Sequence, residues 1–443
     1  MAHASIEQSE AAADKHKHYY TAGSLTPASG AHQPFTQHVT AQYPMPNKDI
    51  SLLVSGASVA GLTTAYWLAR YGFRVTVVER ASHLRPGGQA LDVRGPALEV
   101  AKRMGILAHL QERSTKLTGV SFVDAEGKEI YRSTERSVTG GRFDSPDIEI
   151  LRDDLCKVLY EAVGDRVEFL FDDRVTSITQ DETGVDVTFA NVAPCRFDLV
   201  IGADGLHSGV RRLVFGPEQQ FLRYLGFYIV VFAAPNFLGL DHWQVFHQHG
   251  DIMGGILAMN KDAKVRTYLG FGETEPLDYD YRDIDAQKRL VAERFAGAGW
   301  EFPQLLAHMQ DAPDFYFDAT NQIRMEDWSR GRVVLVGDAG YSVSPATGQG
   351  TTVAMVGAYV LAGELASHTS AMVAGIDRYQ HELRDYIARN QDLALDMMTQ
   401  VTSQEMSLGQ PTEADSITHP DGIPDFGEMI QPIDLKNYPE LVP

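Results

Sequence analysis

Short apolar segments that end in glycine turns recur along this chain and alternate with helical patterns. Ser51–Ser55 is an apolar run, Leu62–Tyr71 has helical spacing, and Arg74–Glu79 is a second strand-like run. This order predicts a βαβ unit with parallel strands. Leu199–Gly202 and Val333–Val336 are further continuous apolar runs, as expected for the middle of a parallel sheet. The periodicity therefore predicts an α/β fold.

The pattern changes between residues 217 and 317, where strand-like segments follow one another without helices between them. These segments are Phe227–Ala234, Trp243–His247, Asp251–Met259 and Val265–Phe271. They predict an antiparallel sheet inserted into the α/β domain. Helical patterns occupy Gln287–Phe295, Leu305–Met309, Thr351–Leu365 and Ile376–Met398.

The first 48 residues show neither helical nor strand periodicity and predict a flexible or loosely docked arm. The arm contains His3, His16, His18, His32 and His38. These histidines are either metal ligands or solvated side chains. Their irregular spacing, without nearby cysteines or paired acids, favours solvated residues, and we assign them no function.

Residues 404–443 form an acidic, proline-rich tail with six prolines and Lys436 as the only basic residue. Its acidic residues are Glu405, Glu413, Asp415, Asp421, Asp425, Glu428, Asp434 and Glu440. Prolines at this spacing prevent long regular elements. The tail is either disordered or an extended strap. As a strap it would be held by Ile423, Phe426, Met429, Ile430 and Leu435.

Composition narrows the class of protein. The formal net charge is −21, which argues against nucleic acid or an anionic membrane surface as the main partner. Cys156 and Cys195 are the only cysteines, so a disulfide framework or a cysteine-rich metal site is excluded and no metal is predicted. Because the chain has neither a run of about 18 apolar residues nor a signal-peptide pattern, we expect a cytoplasmic protein without stable membrane insertion.

The first glycine turn has the pattern Gly56-x-Ser58-x-x-Gly61, with Ala60 inside it. It follows a strand and opens a helix, which is the setting in which such a turn binds a dinucleotide. Gly56 permits a tight turn and Gly61 permits close packing of the helix. The helix N-terminus can then bind a pyrophosphate.

Glu79, followed by Arg80, ends the second predicted strand. An acid at this position binds the ribose hydroxyls and repels a 2′-phosphate, which favours FAD or NAD over NADP in this site. The alternative is a surface ion pair between Glu79 and Arg80.

The last motif, Gly337-Asp338, distinguishes FAD from NAD. Asp338 follows a buried strand, where a carboxylate is costly unless it bonds hydroxyl or N–H groups. The ribityl chain of FAD supplies hydroxyls. Beyond Asp338, the chain continues through Pro345, Gly348 and Gly350 into a helix. The N-terminus of this helix would stabilise negative charge on a reduced flavin ring. The first and last motifs, together with Glu79, therefore predict FAD.

Together with Asp204-Gly205-x-x-Ser208-x-x-Arg211, these motifs resemble those of the class A flavoprotein monooxygenases, the para-hydroxybenzoate hydroxylase type. The resemblance covers about residues 49–370 and implies a Rossmann-like FAD-binding domain with an inserted antiparallel-sheet substrate domain and C-terminal helices. The limits that it suggests are an FAD-binding domain at 49–216 and 318–370, a substrate-binding domain at 217–317 and a C-terminal helix at 371–403.

Two further segments fit the same family. Arg152 resembles a helix-start arginine that contacts FAD; its alternative is a surface ion pair with Asp153 or Asp154. Gln89 and Arg94 lie in a segment that resembles the loop beside the flavin, and both are candidate substrate contacts. The similarity is greatest to the branch that contains tetracycline-inactivating enzymes and hydroxylases of other polycyclic compounds.

The resemblance implies that NADPH or NADH reduces FAD transiently, and that a flavin C4a-hydroperoxide then transfers oxygen to an aromatic or polycyclic substrate. A reductase, a halogenase on the same fold, and a non-catalytic protein that sequesters flavin or a drug are the alternatives. No catalytic base is evident. Tyr228, His247 and Met253 on the predicted sheet are candidate substrate contacts, although ordinary core or surface positions are the favoured explanation for them. Oligomeric state is left open between monomer and homodimer.

Overall fold

The computed structural model describes residues 49–137, 142–261, 263–280, 282–403 and 431–438. The arm at 1–48, with its five histidines, lies outside the described residues, as does the tail apart from 431–438. Of the apolar residues predicted to anchor a strap, only Leu435 falls within them. No helix in these ranges is long and apolar enough to cross a membrane.

The strands assort into a parallel sheet, a large antiparallel sheet and two small antiparallel sheets. In chain order they are β1 (Ser51–Ser55), β2 (Arg74–Glu79), β3 (Ala90–Val93), β4 (Gly119–Val123), β5 (Glu129–Ser133), β6 (Ile148–Leu151), β7 (Glu168–Phe171), β8 (Val175–Gln180), β9 (Val185–Phe189), β10 (Cys195–Phe197), β11 (Leu199–Gly202), β12 (Leu222–Ala234), β13 (Trp243–His249), β14 (Ile252–Ala258), β15 (Val265–Gly272), β16 (Tyr316–Ile323), β17 (Ser329–Arg330) and β18 (Val333–Leu335).

Helices cover the parallel sheet and one face of the large antiparallel sheet. They are α1 (Val59–Arg70), α2 (Pro96–Met104), α3 (Leu107–Glu112), α4 (Arg152–Val163), α5 (Gly209–Val214), α6 (Ile284–Arg294), α7 (Phe302–Asp311), α8 (Asp338–Tyr341), α9 (Gly350–Ser367) and α10 (Met372–Ser403).

The parallel sheet has the strand order β17-β18-β11-β1-β2-β7, in which β17 alone runs antiparallel to its neighbour. Its central strands are buried on both faces, as their continuous apolar sequences predict. Because β18, β11 and β1 are parallel neighbours, the three motifs that follow them meet at one edge. The predicted α/β class is confirmed.

Helix α1 begins at Val59, three residues before the predicted start at Leu62. Gly61 therefore lies inside the first helical turn and not before it. A Cβ atom at Gly61 would lie 1.9 Å from the carbonyl oxygen of Gly56. The missing side chain is what lets the helix start this close to the turn.

The large antiparallel sheet has the order β16-β12-β15-β14-β13-β4-β5 and extends beyond the predicted insert at 217–317. Strand β16 continues past residue 318, and β4 pairs in parallel with β13. Gly119 pairs with Trp243. A contact between residues this far apart in the sequence leaves no local pattern from which it could be predicted. The domain limits themselves remain a prediction.

The large sheet separates two apolar clusters. On one face α6 and α7 cover Val230, Phe232 and Phe271. The other face carries a smaller cluster of Val120, Phe122 and Phe246. Because side chains alternate along a strand, neighbouring residues enter different clusters.

Residues 431–438 pack against α9 and α10. Lys436 pairs with Glu364 at 3.0 Å and Glu382 at 2.6 Å, and the Tyr438 hydroxyl donates to Glu364 at 3.0 Å. A Cβ atom at Gly363 would lie 2.1 Å from the Tyr438 ring. This part of the acidic tail is therefore an extended segment docked on the helices.

Candidate active site

The three motifs contact one another where the parallel strands end. Gly56 has a φ of +108°, and a Cβ atom there would lie 2.5 Å from the carbonyl oxygen of Ala203, just before Asp204. A Cβ atom at Gly337 would lie 2.9 Å from the Cβ of Ala60. The glycines thus let three backbones converge at close range.

The N-terminus of α1 is free to bind an anion. Ser58 is its N-cap residue, and its side chain does not cap the helix; its Oγ lies 3.7 Å from the Sγ of Cys156 on α4. The first N–H groups of a helix have no partner within the helix. Together with the helix dipole they form a site suited to pyrophosphate.

Glu79 bonds backbone and does not pair with Arg80. Its carboxylate accepts hydrogen bonds from the N–H groups of Ala57 at 2.8 Å and Ala81 at 3.0 Å, whereas Arg80 is exposed. Each carboxylate oxygen retains a second lone pair for a ligand hydroxyl. Binding of ribose by Glu79 remains a prediction that this geometry accommodates.

Arg152 binds the loop before β3 and not its acidic neighbours. Its guanidinium donates to the carbonyl oxygens of Arg85 at 2.7 Å and Gly87 at 2.6 Å, while the buried Nε has no hydrogen-bond partner among the described residues. Loss of water, and then the nearby Arg152 and Arg80, lower the pKa of Arg85. Three cations this close favour an anionic ligand such as a pyrophosphate.

The carboxylate of Asp204 is bound by its own loop. It accepts hydrogen bonds from the Ser208 hydroxyl at 2.5 Å and from the N–H groups of Gly209 at 2.8 Å and Val210 at 3.0 Å. Burial raises its pKa, and these donors oppose the rise. Asp204 therefore shapes the turn that starts α5, and contact with cofactor remains a prediction.

Arg211 connects the second motif to the third, a role that the sequence analysis did not identify. Its guanidinium is fully buried and donates to the carbonyl oxygen of Ala339 at 2.9 Å, to that of Leu206 at 2.6 Å and to Glu218 at 2.6 Å. Ala339 follows Asp338 directly. The motif Asp-Gly-x-x-Ser-x-x-Arg was visible in the sequence, but the partners of its arginine were not.

Asp338 begins α8 and is half-buried. Burial, followed by the nearby negative charge of Asp318, raises the pKa of Asp338 to about 6, against a hydrogen bond from Ser342 and the charge of Arg211 that lower it. A carboxyl group in this state is stabilised by ligand hydroxyl groups. This surrounding fits the predicted ribityl site.

The Pro345–Gly350 segment leads into α9, and polar groups in and just after it have no hydrogen-bond partner among the described residues. Gly348 has a φ of +64°, and the space beside Gly350 is open. Both side-chain polar atoms of Gln349 and the hydroxyl of Thr352 are buried without a hydrogen-bond partner among the described residues. Such orphaned groups call for a polar ligand. The residues present therefore fit FAD. Gln349, a spacer position of the motif, and Thr352, which follows the motif, join the predicted set.

A cavity of about 180 Å³ lies between the large sheet and the β3–β6 pair. It is lined by Ala90, Glu149, Phe227, Ile229, Gln244, Phe246, Met253, Leu257, Tyr268, Leu269 and Gly270. The predicted substrate residue Met253 lies in this wall. Gln89 immediately precedes Ala90, and its carbonyl oxygen accepts from the Arg152 N–H at 3.0 Å. Contact of Met253 and Gln89 with substrate remains a prediction.

Arg94 is buried and pairs with Asp92 at 2.9 Å. A Cβ atom at Gly348 would lie 3.0 Å from Asp92 Oδ2 and 3.5 Å from Arg94 Nη1. Arg94 therefore lies beside the predicted flavin loop, within an ion pair, and its contact with substrate remains a prediction.

Tyr228 and His247 are not among the residues that line this cavity, and their contact with substrate remains a prediction. Tyr228 stacks on Phe271 and Phe317 in the cluster beneath α6 and α7, and its hydroxyl accepts from the Leu277 N–H at 2.8 Å. His247 lies near the rings of Trp300 and Phe302. Their sequence neighbours Phe227, Ile229 and Phe246 line the cavity instead, because adjacent side chains of a strand point to opposite faces.

The Asp338 carboxyl makes a prediction for the protein without cofactor. Its pKa is raised from 3.8 to about 6 in the fold, so the folded state binds its proton more tightly and loses relative stability as pH rises from about 4 to about 6. Asp338→Asn removes this penalty. The gain in unfolding free energy over wild type should be larger at pH 7 than at pH 4, by at most about 3 kcal/mol.

Urea unfolding of the FAD-free protein at both pH values measures this difference. Asp311→Asn, a change at an exposed carboxylate, is the matched control and should give equal values at both. A gain for Asp338→Asn that does not depend on pH would contradict the assigned ionisation.

Comparison with known proteins identifies the family. Residues 49–394 match the FAD binding domain family. The chain is 53% identical over 346 residues to an uncharacterized protein of Mycobacterium tuberculosis, covering 78% of this chain and 93% of that protein. It is 39% identical over 345 residues to a flavin-dependent monooxygenase of Legionella longbeachae, covering 78% and 88%.

A solved structure agrees with these relatives. The crystal structure of tetracycline destructase Tet(55) has 41% sequence identity and a TM-score of 0.71, covering 78% of this chain and 88% of that one. The chain belongs to the FAD binding domain family and is an FAD-dependent monooxygenase.

Proposed function

We propose that the enzyme hydroxylates an aromatic or polycyclic small molecule and consumes NADPH or NADH as a transient reductant. The observation that carries this proposal is the apolar cavity of about 180 Å³ beside β3. Its wall consists of aliphatic and aromatic side chains with few polar groups, which is the surface that an aromatic ring prefers. The bound ring would lie close to the loop that precedes β3.

The position of the cavity supports oxygen transfer. Ala90 of β3 and Glu149 of β6 line one wall of the cavity. Asp92, also in β3, lies against the Gly348 turn. The strand thus joins the cavity to the segment that leads into α9. A substrate in the cavity would be held next to the flavin end of the cofactor.

The protein's own residues would bind the cofactor and exclude water. The α1 N-terminus and Arg152 would hold the pyrophosphate, Glu79 the ribose, and Asp338 the ribityl hydroxyls. The buried polar atoms of Gln349 and Thr352 have no hydrogen-bond partner among the described residues, and they would form hydrogen bonds with the cofactor. FAD, when bound, supplies the reduction of O₂ and the transfer of one oxygen atom.

The size of the cavity constrains the substrate. An apolar cavity of about 150 Å³ accommodates benzene, so the cavity suits one or two rings. A larger polycyclic molecule would insert one end. The name of the related tetracycline destructase implies action on a four-ring compound, which makes tetracycline a reasonable member of a test panel.

Oxidation of NADPH and of NADH by the purified FAD enzyme, measured with phenols, naphthols, hydroxyanthraquinones and tetracycline, tests the proposal. We expect at least one compound to stimulate oxidation and to gain one oxygen atom by mass spectrometry. Peroxide assays distinguish coupled turnover from idle reduction of O₂.

The rival functions give different outcomes in the same assay. A reductase would oxidise NAD(P)H without adding oxygen to the compound, and a halogenase would add halogen only when halide is present. A sequestering protein would bind the compound without stimulating oxidation. Any of these results across the whole panel would overturn the proposed hydroxylation.

A further inference from the structure

The cavity beside β3 has one ionisable carboxyl in an otherwise mainly apolar wall. Glu149 lines the cavity together with Gln244 and Tyr268. The Tyr268 hydroxyl oxygen accepts a hydrogen bond from the N–H of Ala90 at 2.8 Å. Glu149 is therefore the acidic group of this wall that is placed to meet a polar atom of the substrate.

The sheet places a second carboxyl directly opposite Glu149. Asp92 of β3 is its cross-strand partner in the antiparallel β3–β6 pair. Like charges at such positions repel one another. Arg94 pairs with Asp92 at 2.9 Å and, more distantly, with Asp147 at 3.7 Å.

This arrangement favours the protonated form of Glu149. Burial, and then the charge of Asp92, raise the pKa of Glu149 to about 8, whereas the Thr115 hydroxyl and Arg94 lower it. At neutral pH, Glu149 therefore presents a carboxylic acid group. Tyr268, the other titratable group of the wall, has a pKa raised by burial and stays neutral across this range.

Thr115 fixes the orientation of the acid. Its hydroxyl donates to Oε1 of Glu149 at 2.9 Å, and its backbone N–H donates to the Glu149 carbonyl oxygen at 2.8 Å. Because Oε1 accepts this bond, Oε2 is left available to carry the acidic proton. A protonated carboxyl combines one O–H donor with acceptor capacity.

We propose that Glu149 is a substrate-binding residue that, as a neutral carboxylic acid, donates a hydrogen bond to a carbonyl or hydroxyl oxygen of the aromatic substrate. The proposal rests on the proposed function and adds to it a preference for oxygenated rings. It also assigns Glu149 the role of hydrogen-bond donor. Ionisation of Glu149 would end this role, because a carboxylate has no proton to donate.

Binding of two simple probes to the FAD-loaded enzyme tests this role without requiring turnover. The probes are 1-tetralone, a two-ring ketone, and tetralin, the same skeleton without the oxygen. At pH 6.5 calorimetry should give tetralone about five- to tenfold higher affinity, the effect of one net hydrogen bond. At pH 9.5 the preference should disappear, because Glu149 is then ionised.

Variants separate a donor from a base. Glu149→Gln retains a donor that does not titrate, so it should keep the preference for tetralone at both pH values. Glu149→Leu should lose the preference at both. Thr115→Val, which removes the orienting hydroxyl, should reduce the preference without changing its dependence on pH. Glu126→Gln, at an exposed glutamate of the β4–β5 turn, should behave as wild type.

Equal affinities of wild type for the two probes at pH 6.5, or no binding of tetralone, would overturn the proposal. Loss of the preference in Glu149→Gln would also overturn it. FAD content and thermal midpoint, measured for every variant, identify any loss of fold. The binding result is separate from the oxidation assay: an enzyme that hydroxylates a panel compound but fails the probe test refutes only the role of Glu149.

Discussion

Gly61→Ala is expected to give an enzyme that purifies without FAD and unfolds at lower temperature. The added Cβ would lie 1.9 Å from the carbonyl oxygen of Gly56 and 3.4 Å from the Cβ of Ala203. The near obstacle is backbone, so no rotamer change relieves it. Helix α1 must move away from the turn, and its N–H groups then leave the position where they meet the pyrophosphate.

The expected loss of stability is about 1–3 kcal/mol, as for other overpacked cores, and FAD content should fall at least tenfold. Absorbance of the bound flavin and urea unfolding measure the two effects. Gly209→Ala is the matched control, because a Cβ there would lie 3.4 Å from its nearest atom, Asp204 Oδ2. Full FAD content in Gly61→Ala would contradict the packing described for α1.

Arg211→Met should destabilise the enzyme by about 3–5 kcal/mol, since removing one partner of a buried ion pair leaves an uncompensated charge. The substitution deprives Glu218 and the carbonyl oxygens of Leu206 and Ala339 of their donor. His207 still contacts Glu218 at 2.8 Å, which favours the lower end of the range. FAD should also bind less tightly, because Ala339 adjoins Asp338.

Urea unfolding and titration with FAD measure these effects. Arg212→Met, a change at the exposed neighbouring arginine, should alter stability little. Combining Arg211→Met with Glu218→Gln should recover part of the loss because the unpaired negative charge is gone. A single Arg211→Met variant as stable as wild type would refute the role of Arg211 as the link between the motifs.

The sequence predicted those features whose cause is local. Gly56 and Gly61 stand where a strand meets a helix, and Glu79 and Asp338 end apolar strands, so each position carries its own chemical reason. The continuous apolar runs of β1, β11 and β18 predicted that these strands belong to a parallel sheet. Helix α1 begins at Val59 and not at the predicted Leu62. Its first turn includes Gly61, a residue that hydrophobic periodicity alone does not assign to a helix.

Residues facing the cavity were predicted less well. Met253 lies in its wall, but Tyr228 and His247 occupy the opposite face, next to Phe227 and Phe246, which line it. Choosing between neighbours on a strand requires knowing which face α6 and α7 cover. In the sequence both faces of β12 are apolar, and both faces of β13 mix apolar with polar residues, so alternation gave no preference.

The sequence by itself determined the class of fold, the dinucleotide turn and the acids suited to hydroxyl groups, because backbone conformation and strand burial constrain residues close to one another in the chain. Only the tertiary structure decided that Arg211 joins two motifs, that Asp92 faces Glu149, and that β4 extends the large sheet. These depend on register between distant segments: a shift of one residue would turn each side chain to the other face.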